Sequence, residues 1–397
     1  MRTLIIAIML AITLGSSDGL GATPITERAD PTAEAVLRDA LLRQFDTLLK
    51  DPNAFARRVR RECLGFPEGD LMTYTMPACA YVQVGLSDPN RRAEAIRRVE
   101  QLLALARPGV LKRVKTDARA LAGISDYQKQ AVYLGQYNLA LGGYRLLGGR
   151  RLADEHKAIS DALHAALARG DGRPLASYPH LTWTFDTIPC LVSLRVYDRI
   201  AGNARSDAVI AKHLAWIARR ATHPGAGVPF SQVIPATGKA IAAPRGCELS
   251  WRVALTADLD AASAKRLYAN YVRSFWLDRK VMAGFAEWPG GKAIKQDFDS
   301  GPIVMGIGSA ATAFGIAAAR AAGDKVRRGR LVRQAARGKE LLKRLIAMNP
   351  KSAREYTLAG KIDTDSSYQT GFLFGDACLF YAVTWRPWLA DEPPAGQ

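Results

Sequence analysis

The chain has 397 residues, of which 48% are hydrophobic, 8% aromatic and 23% charged. That composition excludes disorder as the main state, collagen-like repeats and small disulfide scaffolds, and it can supply a sizeable core. With 55 Lys and Arg against 37 Asp and Glu, the formal charge is +18, a field that attracts nucleic acid, an anionic membrane surface or a polyanionic glycan without choosing among them.

Arg2, the apolar run Leu4 to Leu14 and the small residues ending at Gly21-Ala22 predict a secretory signal over residues 1–22, with an uncleaved N-terminal anchor as the alternative. Export argues against nucleic acid as a partner, and no zinc-finger spacing or aromatic-interleaved RNA motif occurs. The charge then reads as solvated helix faces, with room for peripheral contact with an anionic envelope. The cysteines, Cys63, Cys79, Cys190, Cys247 and Cys378, are odd in number, and Cys63 with Cys79 is the pair expected to bridge in an oxidising compartment. No CxxC occurs, and His156, His164, His180, His213 and His223 show no HExxH-type pairing, so neither a metal nor a cofactor is expected.

Apolar residues recur every three to four positions in Ala33 to Leu49, Ala93 to Ala106, Ala208 to Ile217 and Leu331 to Ala347, with Arg or Lys on the second face, the pattern of outer helices. Gln130 to Leu147, Ile188 to Ile200, Pro302 to Ala322 and Tyr368 to Trp385 are apolar or small all round and predict buried helices. Pro302 to Ala319 carries no charge, but its Gly, Ser and Thr suit close helix packing better than a membrane span. Similar signatures end three of these helices, at Tyr144 to Gly149, Tyr197 to Gly202 and Arg320 to Asp324. Acidic residues recur near the starts, at Asp70, Asp126, Asp186, Glu248, Asp299 and Asp365. The repetition predicts an all-α fold of six outer/inner hairpins closed into an (α/α)6 toroid, one domain over 23–390 with a disordered tail at 391–397; an open α-solenoid is the alternative.

In such a ring the long loops, 107–125, 170–183, 221–247 and 279–301, gather with the inner-helix N-termini on one face, where binding residues are expected. Val228 to Arg245 reads as a hairpin lid. Asp186-Thr-Ile-Pro189 and Asp299-Ser-Gly-Pro302 are near copies, either helix caps or carboxylates of a site. Tyr178, His180 and Trp183 precede the first, and Glu287, Trp288 and Asp297 the second. Glu287, on a loop beside Trp288, suits a general acid with a raised pKa; Asp186, at a helix N-terminus, is expected to stay ionised as base, with Asp299 orienting or replacing it. Trp183, Trp288 and Trp251 are either sugar-stacking platforms or core aromatics, and His180 is either a proton shuttle or a structural group. Arg245-Gly246-Cys247-Glu248 either holds an anionic substrate group or starts a helix.

Tyr133-Leu-Gly-Gln136-Tyr-Asn-Leu-Ala, Gly148 to His156, Ser193 to Gly202, Trp251 to Trp276, Gly306 to Phe314 with Ala322-Gly-Asp324, and Gly371 to Asp376 together resemble bacterial linalool dehydratase-isomerase over most of the chain. The resemblance implies an exported (α/α)6 toroid with a central pocket. It also implies that the family's catalytic histidine and two cysteines correspond to Gln136, Ser177 and Asp186 here, and a pocket glutamate to Glu287, so a thiol-based mechanism does not carry over.

The expectation is a C–O bond-cleaving enzyme using Glu287 as acid and Asp186 or Asp299 as base, on a glycan or other small-molecule substrate. Substrate contacts are expected from Gln136, Tyr178, His180, Trp183, Arg245, Glu248, Trp288 and Asp297. The alternatives are a hydro-lyase or isomerase acting on an isoprenoid alcohol and a noncatalytic glycan binder.

Overall fold

The computed structural model describes residues 31–114, 121–279, 282–291, 297–348 and 369–389. The expected signal, the expected tail and Asp365 lie outside them. The described chain is mostly helical, with thirteen α-helices: α1 Pro31–Leu48, α2 Pro52–Glu62, α3 Pro67–Ser87, α4 Arg92–Val114, α5 Ala131–Leu146, α6 Ala153–Gly170, α7 Thr187–Ala201, α8 Asp207–Arg220, α9 Gly246–Thr256, α10 Ala261–Phe275, α11 Ser309–Ala322, α12 Lys325–Met348 and α13 Leu373–Thr384. Among the described residues no helix is long and apolar enough to cross a membrane.

Two kinds of helix follow from two kinds of sequence. In α4, Ala95, Val99, Leu102, Leu103, Ala106 and Val110 repeat every three to four positions and are buried, while the Arg-rich face is left to water. In α3, α5, α7, α9 and α13 burial runs almost all round. Each of these inner helices packs on the next: α3 on α5, α5 on α7, α7 on α9, α9 on α11, α11 on α13, and α13 back on α3. At their meeting, Trp251 of α9 stacks on Phe314 of α11 with centroids 4.9 Å apart, and Phe185 from the loop before α7 and Tyr381 of α13 close in.

The six inner helices share a feature at their N-termini: none has a side-chain cap from its own cap residue. Their first N–H groups, which a helix leaves unpaired, are met in several cases from distant parts of the chain. Glu62 accepts from Leu373 N at 3.1 Å, Glu287 from Cys247 N at 3.2 Å, and the Ala176 carbonyl from Ala131 N at 3.1 Å. Two outer helices use local caps, Asp51 for α2 and Asp260 for α10.

The ends of the described chain are joined. Helix α1 packs on α12 and α13, Phe45 stacks on Phe380 at 5.4 Å, Gln44 donates to Asp376 at 2.8 Å, and Glu34 accepts from Arg328 at 3.0 Å while also pairing with Arg320. A buried aromatic such as Phe45 contributes about 1.5–3 kcal/mol by leaving water, so this seam is a substantial part of the core.

Three short antiparallel hairpins interrupt the helices: β1 Gln232–Val233 with β2 Ala240–Ala242, β3 Trp276–Asp278 with β4 Ala283–Phe285, and β5 Ile303–Val304 with β6 Ile307–Gly308. The first is the hairpin expected around Ala236 to Lys239. The third corrects the helix expected to start at Pro302. Met305 and Gly306 both take positive φ, 53° and 85°, making a two-residue turn of the kind that joins strands with right-handed twist, so α11 begins seven residues after Pro302, at Ser309. The expected Cys63–Cys79 bridge is also corrected, because all five cysteines are free and buried. Cys63 Sγ lies 3.8 Å from Thr73 Oγ1, and Cys79 stands six residues further along α3, about 9 Å of helical rise, beyond the reach of a disulfide.

Candidate functional site

The segment before α7 is shaped by local hydrogen bonds. Ser177 Oγ accepts from Trp183 N at 2.8 Å, Ser177 N and Leu181 N close the Tyr178–Leu181 turn, and Thr184 N donates to Ser231 O at 2.8 Å, fastening the loop to the β1–β2 hairpin. His180 falls at the exposed tip of this turn and Trp183 is half-buried. The Tyr178 hydroxyl reaches back to Glu68 in the first turn of α3.

Asp186 follows directly, 7% exposed. It occupies the cap position of α7 without a side-chain cap bond, so neither capping nor the expected ionised state describes it. Burial pushes its pKa up to about 8, helped by the charges of Glu248, Asp299 and Glu68 and opposed by the Ser177 hydroxyl. Desolvation outweighs the helix terminus, whose favourable effect amounts to about 0.3–2 kcal/mol.

Asp299 is 51% exposed, yet the protein around it raises its pKa to about 7, with Asp297, Glu68 and Glu248 adding to the rise and Arg245 opposing it. Glu248, in the first turn of α9, is likewise partly accessible and raised by burial. Asp186 thus feels the charge of Asp299, and both feel Glu248 and Glu68. Asp70 stands two residues along α3 from Glu68 and is also raised by burial. Asp126 stands apart, with its side chain 68% exposed and paired with Arg169 at 2.9 Å, so the regular spacing of acidic residues does not bring all of them together.

Glu287 differs from the expectation most. Its side chain is 0% exposed and its setting is ionic: Arg245 Nε donates to Oε1 at 2.7 Å, and Cys247 donates from N at 3.2 Å to Oε2 and from Sγ at 3.2 Å to Oε1. Burial raises its pKa and Arg245 opposes the rise. A carboxylate enclosed in this way has no oxygen turned toward a substrate. The geometry makes it the anchor of Arg245, whose other arm holds Asp297 at 2.7 Å and approaches Asp299 at 3.9 Å, with Trp288 beneath the guanidinium at 5.3 Å. Arg245 is itself only 5% exposed, with Nε taken up by Glu287 and one terminal nitrogen by Asp297. The start of α9 is pressed against this anchor: Gly246 N donates to Glu287 O at 2.8 Å, and a Cβ on Gly246 would lie 2.0 Å from the Ala286 carbonyl oxygen.

Four groups near the cluster escaped the sequence reading. Glu68 carries the Tyr178 hydroxyl. Tyr133, 2% exposed, has a hydroxyl without a hydrogen-bond partner among the described residues, and Glu68, Asp70 and Asp186 act on it electrostatically. Arg252, buried on α9, donates to Thr184 Oγ1 at 2.7 Å and faces the charges of Glu248 and Asp186. Ser231 stands beside Glu248. The available signals were a charge on an otherwise apolar inner helix for Arg252 and the Pro-Glu helix start for Glu68. Gln136 is buried with its amide nitrogen unpartnered among the described residues, and Trp251 belongs to the aromatic core. Among the described residues, no three His, Cys, Asp or Glu side chains are grouped so as to hold a metal ion.

No family model matches this chain, and no curated protein matches it.

Proposed function

We propose that this chain is an exported (α/α)6 toroid enzyme, akin to linalool dehydratase-isomerase in fold, that cleaves a C–O bond of an envelope glycan by carboxylate acid/base catalysis. The cyclic order of inner-helix packing, α3 through α13 and back to α3, supports the closed ring. What supports the chemistry is the charge of Asp299 acting on the buried Asp186, with Glu248 and Glu68 acting on both, and pKa values raised to about 8 for Asp186 and about 7 for Asp299. Asp186, protonated at neutral pH, gives its proton to the leaving oxygen. Asp299, more open to water and near Arg245, takes the proton of the attacking water. Glu287 serves by holding Arg245, in place of the acid role expected for it.

A second reading, a hydro-lyase or isomerase acting on an isoprenoid alcohol, draws support from the apolar group formed by Phe185, Trp251, Phe314 and Tyr381. Incubating the purified protein with envelope oligosaccharides and with terpene alcohols separates the two. On the glycan reading, reducing ends are released by wild type and lost, by at least about a hundredfold, in Asp186→Asn and Asp299→Asn. Undiminished release in both variants removes this mechanism.

A further inference from the structure

The β1–β2 hairpin stands on the end of α8 and turns one face outward. Val233 packs with Ile217 and Ala221 in a small apolar cluster apart from the main core, joined by Trp216 and Phe230. At the turn, Gly238 takes φ 77° and is pressed against α8, since a Cβ there would lie 2.6 Å from the Arg220 carbonyl oxygen. The loop before α7 adds a third edge to the hairpin. Thr184 N donates to Ser231 O at 2.8 Å and Val233 N to Thr182 O at 3.3 Å, with Trp183 opposite Gln232. The same register, carried one residue further, sets Leu181 against Ile234, and antiparallel partners share a face.

That outer face is apolar and open. Leu181, Ile234 and Ile241 are 46%, 41% and 58% exposed, and half-buried Trp183 alternates onto the same side as Leu181. Single exposed aliphatic side chains are ordinary, whereas three on one small hairpin and the loop paired with it make a patch. The charge bordering it is of one sign. Arg219 and Arg220, in the last turn of α8, and Lys239, beside Gly238, are exposed, and none pairs with a carboxylate among the described residues. Lys212, earlier on α8, differs in pairing with Asp171 at 3.2 Å. Between Asp207 and Glu248 the chain has no Asp or Glu.

We propose that this face docks on an anionic phospholipid bilayer, with Leu181, Ile234 and Ile241 entering the headgroup region and Arg219, Arg220 and Lys239 meeting the lipid phosphates. An anionic leaflet attracts Lys and Arg while aliphatic side chains leave water at its acyl boundary, so both halves of the patch are answered at once. A second copy of the chain answers only the apolar half. A two-fold contact sets the face on itself and brings its three cations toward their own counterparts. The docking surface is independent of the reaction proposed above. Asp186 lies three residues beyond Trp183, so docking carries the loops of the candidate site toward the bilayer.

The test is cosedimentation of the purified protein with vesicles of phosphatidylcholine alone and of phosphatidylcholine with about one third phosphatidylglycerol, at about 0.1 M salt. Partition onto the anionic vesicles is expected to be at least about tenfold stronger than onto the neutral ones, with the difference lost in Arg219→Gln/Arg220→Gln/Lys239→Gln. In Ile234→Ser/Ile241→Ser, anionic binding is expected to weaken at least about tenfold. Equal partition onto both vesicles, binding to neither, or anionic binding that either variant leaves unchanged overturns the proposal. Sedimentation velocity without lipid covers the other occupant: a wild-type dimer that Ile234→Ser/Ile241→Ser dissolves assigns the face to a second copy and also overturns it. The substituted side chains are all exposed, and the wild-type comparison decides even where a variant does not fold.

Discussion

Replacing Glu287 tests whether it is an anchor or an acid. In Glu287→Leu, Arg245, 5% exposed, loses its 2.7 Å partner, and the start of α9 loses the acceptor of Cys247 N. Removing one member of a buried ion pair costs about 3–5 kcal/mol because the survivor stays buried and uncompensated. Asp297 remains on the other arm at 2.7 Å, so the loss falls near the lower end, about 3 kcal/mol. Urea unfolding followed by far-UV circular dichroism measures it. The double variant Arg245→Met/Glu287→Leu removes both charges and is expected to recover most of that loss, giving a coupling energy of about 2–3 kcal/mol. A Glu287→Leu variant within about 0.5 kcal/mol of wild type, or strictly additive effects in the double variant, refutes the anchor role.

Asp186 sets a pH dependence. An unfolded carboxyl ionises near pH 4 as a rough value and the folded one at about 8, so between these values only the folded state keeps the proton. Stability contributed by the group is therefore full below about pH 4, falls as pH rises, and levels above about pH 8. Asp186→Asn is expected to flatten the decline in melting temperature from about pH 5 to about pH 8; identical slopes for the two proteins contradict the burial argument. Thiol titration is expected to find all five cysteines free in the unfolded chain and none reactive in the native one, and a count of three would establish a bridge. Gly246→Ala is expected to destabilise by about 1–3 kcal/mol, because the new methyl meets the Ala286 carbonyl oxygen, a backbone atom; an unchanged urea midpoint would mean that α9 is not pressed against residue 286.

Helix periodicity was legible from sequence wherever one element determines its own burial, as in α4 and α5, which lie where the apolar spacing put them. It failed at Pro302, since residues with no charge and many glycines satisfy a buried helix and a hairpin equally well, and positive φ at Met305 and Gly306 decides between them. The site was legible as a set of residue types but not as a set of roles. Glu287 was read from its neighbour Trp288, whereas its environment is made by Arg245 and Cys247, about forty positions away. Asp186 was read from its helix terminus, whereas the protein packed around it governs its protonation. Glu68 joins through Tyr178, 110 residues later, a pairing that no local window contains.

The seam between α1 and α13 bears on how the molecule is made. Glu34 waits for Arg320 and Arg328, Gln44 for Asp376, and Glu62 for the backbone of Leu373, partners roughly three hundred residues downstream. Closing so long a span carries an entropic penalty before any contact repays it, and folds dominated by distant pairings form slowly. An emerging chain therefore keeps part of the apolar flank of α1 uncovered until nearly all of it has been synthesised, which leaves an interval in which a chaperone can hold it before it locks.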